Sequence, residues 1–143
     1  MPSRPATPPG PSSAEWPGKD LGLPANGPRS VGRVGRRVGA IAIDWAIATV
    51  LCVLIGQYGT RNGGFVTLAV FAVLQIVFLA LLSGSFGHVC VGLRVVPVRG
   101  GYIGVVRPIV RTVLLCVVIP AVIYDQDQRG LHDRAAGTVL VRR

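Results

Sequence analysis

Asp44 lies inside an apolar run, VGAIAIDWAIATVLCVLIG over 38–56, and a carboxylate so placed must be paired or put to use. At the centre of a helix in lipid it costs about 2.5–3.5 kcal/mol on insertion scales. Its candidate partner on the same helix is Arg37. Seven residues of α-helix make about 700° of rotation, so the two share a face to within ~20° and stand about 10.5 Å apart along the axis. Helical side chains lean toward the N-terminus, which turns Asp44 toward Arg37. A guanidinium folded inward would meet it directly or through one water, whereas Arg36 points ~80° away.

Gln75 is the strongly polar residue well inside the second apolar run, GFVTLAVFAVLQIVFLALLS over 64–83. It lies about 12 Å from the far end of that run, and Asp44 roughly 10 Å from the start of the first, so antiparallel helices would set them level. Gly35, Gly39, Ala42 and Ala46 on one helix, with Ala69, Ala72 and Ala80 on the other, would allow close approach of the backbones. Three uses of Asp44 stay open. It can fix helix pairing in an Arg–Asp–Gln cluster, relay a proton or cation, or contact a lipid head group or partner subunit.

His132 and Asp133 adjoin in RGLHDRAAGT. Such a pair can ligate a metal or move protons when further ligands or a nucleophile stand by; otherwise it belongs to a turn or helix start. Arg107 and Arg111, one helical turn apart, can bind lipid phosphate or reach the carboxylates. Cys52, Cys90 and Cys116 form no CxxC pair and no metal spacing with His88 or His132, so they read as small buried hydrophobes. With no nucleophile–base pair and no metal cage, the chain reads as a non-enzyme without cofactor.

The elements that must position these residues are membrane helices. Half of the 143 residues are hydrophobic and 15% are charged, against about 25% charged in soluble domains. The net charge of +9 suggests nucleic acid until the charges are placed. Lys19 is the sole lysine, and the arginines border the apolar runs or the chain ends, the distribution that the positive-inside rule produces. No stacking platform or DNA-binding motif accompanies them, which argues against nucleic acid.

Each run is long enough to cross about 30 Å of hydrocarbon, and the QYGTRNGG turn makes them an antiparallel hairpin. Arg29, Arg33, Arg36 and Arg37 precede the first span, Arg61 alone sits in the turn, and Arg94 and Arg99 follow the second. The N-terminus and the segment after 83 are therefore expected in the cytoplasm. VGLRVVPV and TVLVRR read as short strands. Between them, 105–124 is a third apolar stretch with Pro120 near its end, which must break or kink a helix. A full crossing would carry Arg129, Arg134, Arg142 and Arg143 outside, against the charge rule. A re-entrant or interfacial course keeps both strands cytoplasmic, where they can pair, and is favoured. Residues 1–30 hold eight of the eleven prolines and read as a disordered cytoplasmic tail, with no apolar signal segment at the start.

The expectation is an all-α membrane protein over 31–143, with spans at about 38–56 and 64–83. A third hydrophobic helix (re-entrant, interfacial or spanning) at about 105–124, a small cytoplasmic β-hairpin and a cytoplasmic segment 125–143 complete it. In order and spacing, RRVGAIAIDWAI, GSFGHVCVGLRVV and RGLHDRAAGTVLV resemble the RDD family of bacterial membrane proteins, named for an arginine and two aspartates. The resemblance implies that Arg37 is the family arginine, Asp44 the first aspartate and Asp133 the second. Arg111 stands where members often carry arginine, and His88 replaces a usual lysine. It also implies a multi-pass protein of the bacterial cytoplasmic membrane. Transport of unidentified ligands has been proposed for the family, and some members are associated with sodium/proton exchange. Two functions follow: an accessory or assembly protein whose polar cluster fixes packing or meets lipid or partner, or an oligomeric cation/proton transporter using Asp44. The expected partners are the bilayer and, at this size, a homo-oligomer or larger membrane complex.

Overall fold

The structure, a computed structural model, describes residues 16–117 and 129–143. The two apolar runs form α1, Val34–Leu54, and α2, Gly63–Leu82, each about 30 Å long. α1 buries Arg37, Ala40, Asp44, Ala48 and Cys52, and α2 buries Gly63, Thr67, Phe71, Gln75 and Leu79. Both sets recur at three or four residues, one stripe per helix. The stripes face each other, Gln75 against Asp44 and Phe71 against Trp45, in the order of antiparallel packing. The surface away from the stripes is apolar and open, as at Leu54, Phe65 and Leu81.

The small residues expected at the contact are not the most deeply buried ones, and Gly39, Ala72 and Ala80 are half-buried. Gly35, Ala42, Ala46 and Ala69 are exposed, while Ala40 and Ala48 are fully buried. The stripe that carries Arg37 and Asp44 at spacing seven also carries positions 40 and 48, so the polar residues, not the small ones, set which face turns inward.

Ser83, left-handed at φ 54, ends α2. The chain then makes a short helix, α3, Phe86–Cys90, whose N-cap Ser85 and His88 satisfy each other's backbone amides in a capping box. Strand β1, Leu93–Pro97, leads to α4, Val106–Cys116. Pro108 falls in the first turn of α4, where a missing N–H breaks no helical bond. Eleven residues make about 16 Å, half a crossing. This helix buries Arg111, Thr112 and Leu115 and exposes Val106, Ile109 and Val113. The rest of the third apolar stretch, with Pro120, lies outside the described residues, as does 125–128. The helix α5, Leu131–Ala135, and strand β2, Thr138–Arg142, follow.

β1 and β2 pair antiparallel, from Leu93↔Arg142 to Pro97↔Thr138. They are not a hairpin, because α4 and α5 lie between them in sequence. β1 follows α2 through the short helix α3 and stays beside its end, with Val95 N–H donating to Ser83 O, so the pairing brings Thr138–Arg142 back to that end.

The second half of the expected tail is also corrected. Arg29 N–H donates to Arg142 O, Arg142 N–H to Ser30 O and Gly32 N–H to Leu140 O, at 2.8–2.9 Å, so residues 29–32 line the second edge of β2. Leu21, Leu23 and Val31 pack with Val96, Val139 and Val141 on one face of the sheet. Leu79 and Ile103 close the other face on Leu93, Val95 and Leu140. Proline-rich composition hid a few well-spaced apolar residues that suffice to cover a two-stranded sheet; residues 1–15 lie outside the described part.

Candidate functional site

Polar side chains gather in two buried clusters at the end of the hairpin that meets the sheet. The first centres on Asp133 of α5, whose side chain is fully buried. Arg37 Nη1 of α1 lies 3.1 Å from its Oδ2, and Arg111 Nε of α4 lies 2.5 Å from its Oδ1. One carboxylate thus ties three helices together, each oxygen holding one guanidinium. Arg37 Nε also donates to Gly32 O at 2.8 Å, joining the clamp to the segment along β2. His132 Nε2 stands 3.5 Å from Oδ1. Burial raises the Asp133 carboxyl, but Arg111, His132 and Arg37 outweigh it and hold the group at about 2.

The second cluster centres on Asp44. Gln75 Nε2 donates to Oδ2 at 2.7 Å, at the level the depth argument expects, and Ser85 Oγ donates to the same oxygen. Gly87 N–H donates to Oδ1 at 2.7 Å. Gly87 permits that approach because it runs against α1, where a Cβ would come 2.0 Å from Ala40 O. Ser85 Oγ also stands 2.5 Å from His88 Nδ1. Burial, together with Arg111 and Arg37, lowers His88 well below the ordinary histidine range despite the opposing pull of Asp133, so its ring is neutral. Asp44 borders an apolar cavity of about 370 Å³ lined by Ile47, Leu74, Phe78 and Phe86.

The expected Arg37–Asp44 pair does not form. The lean that turns Asp44 toward Arg37 turns Arg37 equally toward the N-terminus, away from Asp44 and onto Gly32 and Asp133. His132 is buried in α5, in the helix-start setting that was the alternative to a ligand role. Arg111 reaches a carboxylate, while Arg107 makes only a 3.5 Å contact with Tyr102 O. Cys52 is buried but Cys90 is exposed. Among the described residues, no three His, Cys, Asp or Glu side chains gather around a metal position.

Ser85, Gly87 and the ring of His88 are the residues that the sequence argument missed at Asp44. A serine three residues before a side chain able to reach back is a capping-box signal, and the glycines of GSFG mark close backbone approach.

No curated protein and no solved structure matches this chain. The sequence profile of the RDD family matches residues 31–137, which takes in Arg37, Asp44, Arg111 and Asp133. The chain belongs to the RDD family.

Proposed function

We propose that the chain is a small integral protein of the bacterial cytoplasmic membrane, multi-pass, with its N-terminus and sheet on the cytoplasmic side. In this reading the two carboxylate clusters lock the helix hairpin onto the sheet and present a fixed surface to lipid or to a partner subunit. The observation that carries it is the polarity of the helices. Arg37, Asp44, Thr67 and Gln75 point inward, whereas Val50, Leu54, Phe65 and Leu81 point outward. Water would penalise that arrangement on both counts, and hydrocarbon favours it on both. The arginines Arg33 and Arg36 at the mouth of α1, with Arg94 and Arg99 after α2, supply the cytoplasmic bias. Asp133, with a guanidinium on each oxygen, is committed to holding structure.

A second reading, an oligomeric cation or proton carrier using Asp44, is favoured by one feature. Among the described residues Asp44 is hydrogen-bonded only by neutral groups, and it opens on the apolar cavity. Ser85 Oγ lies between Asp44 Oδ2 and His88 Nδ1, and because Nδ1 already accepts Ser85 N–H, the hydroxyl hydrogen is directed to Asp44.

Reconstitution of the purified chain into proteoliposomes separates the two. Under the first reading an imposed sodium or proton gradient produces no flux above empty vesicles. Flux that disappears in Asp44→Asn at equal incorporation overturns that reading in favour of the second. Recovery of the chain in the soluble fraction, without detergent, would remove both. Labelling a cysteine added after Arg143 from either side reports whether the sheet faces the cytoplasm.

A further inference from the structure

Four arginines, Arg29, Arg94, Arg142 and Arg143, line a cavity of about 580 Å³ with Leu82 and Ser83, at the sheet end of α2. They come from three separate stretches of chain, and all are brought there by backbone pairing. Arg29 N–H donates to Arg142 O at 2.9 Å, and Arg143 N–H to Gly92 O at 2.9 Å. Val95 N–H, beside Arg94, donates to Ser83 O at 2.6 Å. The guanidiniums therefore stand on a hydrogen-bonded frame that fixes their bases. None of the four forms an ion pair with a described residue; the acid that the described core does pair with arginine, Asp133, holds Arg37 and Arg111.

A second feature marks the same place. Among the described residues only two non-glycine residues have positive φ, Arg29 at 68° and Ser83 at 54°, and both line this cavity. Left-handed backbone is unfavourable for an ordinary residue, and such strain concentrates at binding sites. Glycine would be the usual helix C-cap where Ser83 stands, and nothing in local turn geometry calls for arginine at position 29.

Guanidiniums that form no ion pair among the described residues and surround a concavity can recognise a phosphate anion, through paired N–H donors that fit its oxygens. The walls indicate what carries that phosphate. Leu82, in the last turn of α2, lines the cavity and is exposed, as is its chain neighbour Leu81, so a ligand with its phosphate among the arginines has an apolar surface at hand. We propose that this cavity binds the head-group phosphate of an acidic phospholipid, with its acyl chains lying along the end of α2. The site is distinct from both carboxylate clusters. It rests on the membrane reading above.

The test uses the full chain purified in neutral detergent and native mass spectrometry with added phosphatidylglycerol or phosphatidylcholine. One phosphatidylglycerol is retained per chain and phosphatidylcholine is not; Arg94→Gln with Arg142→Gln lowers retention at least tenfold. Arg99→Gln, which removes the same kind of charge outside the cavity, leaves retention unchanged. If the double variant does not purify as a folded species, Arg143→Gln alone, at the end of the ladder, is to lower retention severalfold. Equal retention by the cavity variants, an equal loss in Arg99→Gln, or equal binding of phosphatidylcholine overturns the site. Inorganic phosphate that displaces the lipid at comparable concentration assigns the cavity to a free anion and overturns the lipid. Fractionation of the same wild-type preparation reports on the membrane reading separately, since a membrane-bound chain with no lipid preference refutes the site alone.

Discussion

Asp133 takes two guanidiniums, and Asp44 takes a carboxamide, a hydroxyl and a backbone amide, although both carboxylates are buried at the same end of one small fold. The difference follows from what each joins. Asp133 links α5 to α1 and α4 through the long side chains of two arginines, which bring charge to offset desolvation. Asp44 links α1 to its neighbours α2 and α3, whose backbones already lie close, so short neutral donors suffice. A charged clamp is costly to break from one side. A neutral cradle tolerates exchange.

The comparison breaks most sharply at Asp133. Asp133→Asn leaves Arg37 and Arg111 buried against a neutral amide, and a loss of about 3–5 kcal/mol in unfolding free energy is expected. Asp44→Asn is expected to cost only ~1 kcal/mol. Gln75 Oε1 is a buried acceptor with no hydrogen bond among the described residues, and it can receive the new amide. Thermal unfolding of both variants in one detergent checks the ranking, and equal losses would falsify it.

Next comes Gly87→Ala. Its Cβ would enter the space of the Ala40 carbonyl, so α3 must move off α1, at a cost of about 1–3 kcal/mol. The displacement also withdraws the amide from Asp44. Loss of stability without change at the Asp133 clamp, read by amide exchange of α5, would sharpen the view that the two clusters act independently. Coupled exposure of α5 would argue against it.

The smallest effect is in pH dependence, which has the same sign at both clusters but a different window. Asp133 is held at about 2 against an ordinary 3.8, so its contribution is complete above about pH 4 and fades only as pH falls toward 2. His88 is depressed below 6.5, so unfolded chains take up protons first and stability declines once pH drops below about 6.5. The melting temperature should therefore fall in two stages, and His88→Asn should remove the upper one. An unchanged upper stage in that variant would assign it elsewhere.

What the sequence made legible was whatever depends on one helix and its rise. The spans, the face shared by Arg37 and Asp44, and the level of Gln75 all follow from counting residues. The partner of Arg37 did not, because Asp133 lies 96 positions away and no periodicity links them. The strands were readable, since β-branched runs between glycines mark themselves, and so was their pairing, but not the helices that lie between them in place of a hairpin turn. The packed part of the N-terminal segment was concealed by its prolines, which argue for extension without excluding a strand edge.

Strand β2 has residues 29–32 on one edge and β1 on the other. It is therefore the piece that closes the molecule, and it is also made after all the elements it joins. Synthesis must complete α1, α2 and α4 before Val31 and Val141 can meet, a closure of long sequence separation that is slow for any chain. Until then the N-terminal segment and β1 wait as two unpaired edges. The assembly of this protein is gated by its last strand, and any extension or truncation at that strand acts on folding order before it acts on any site.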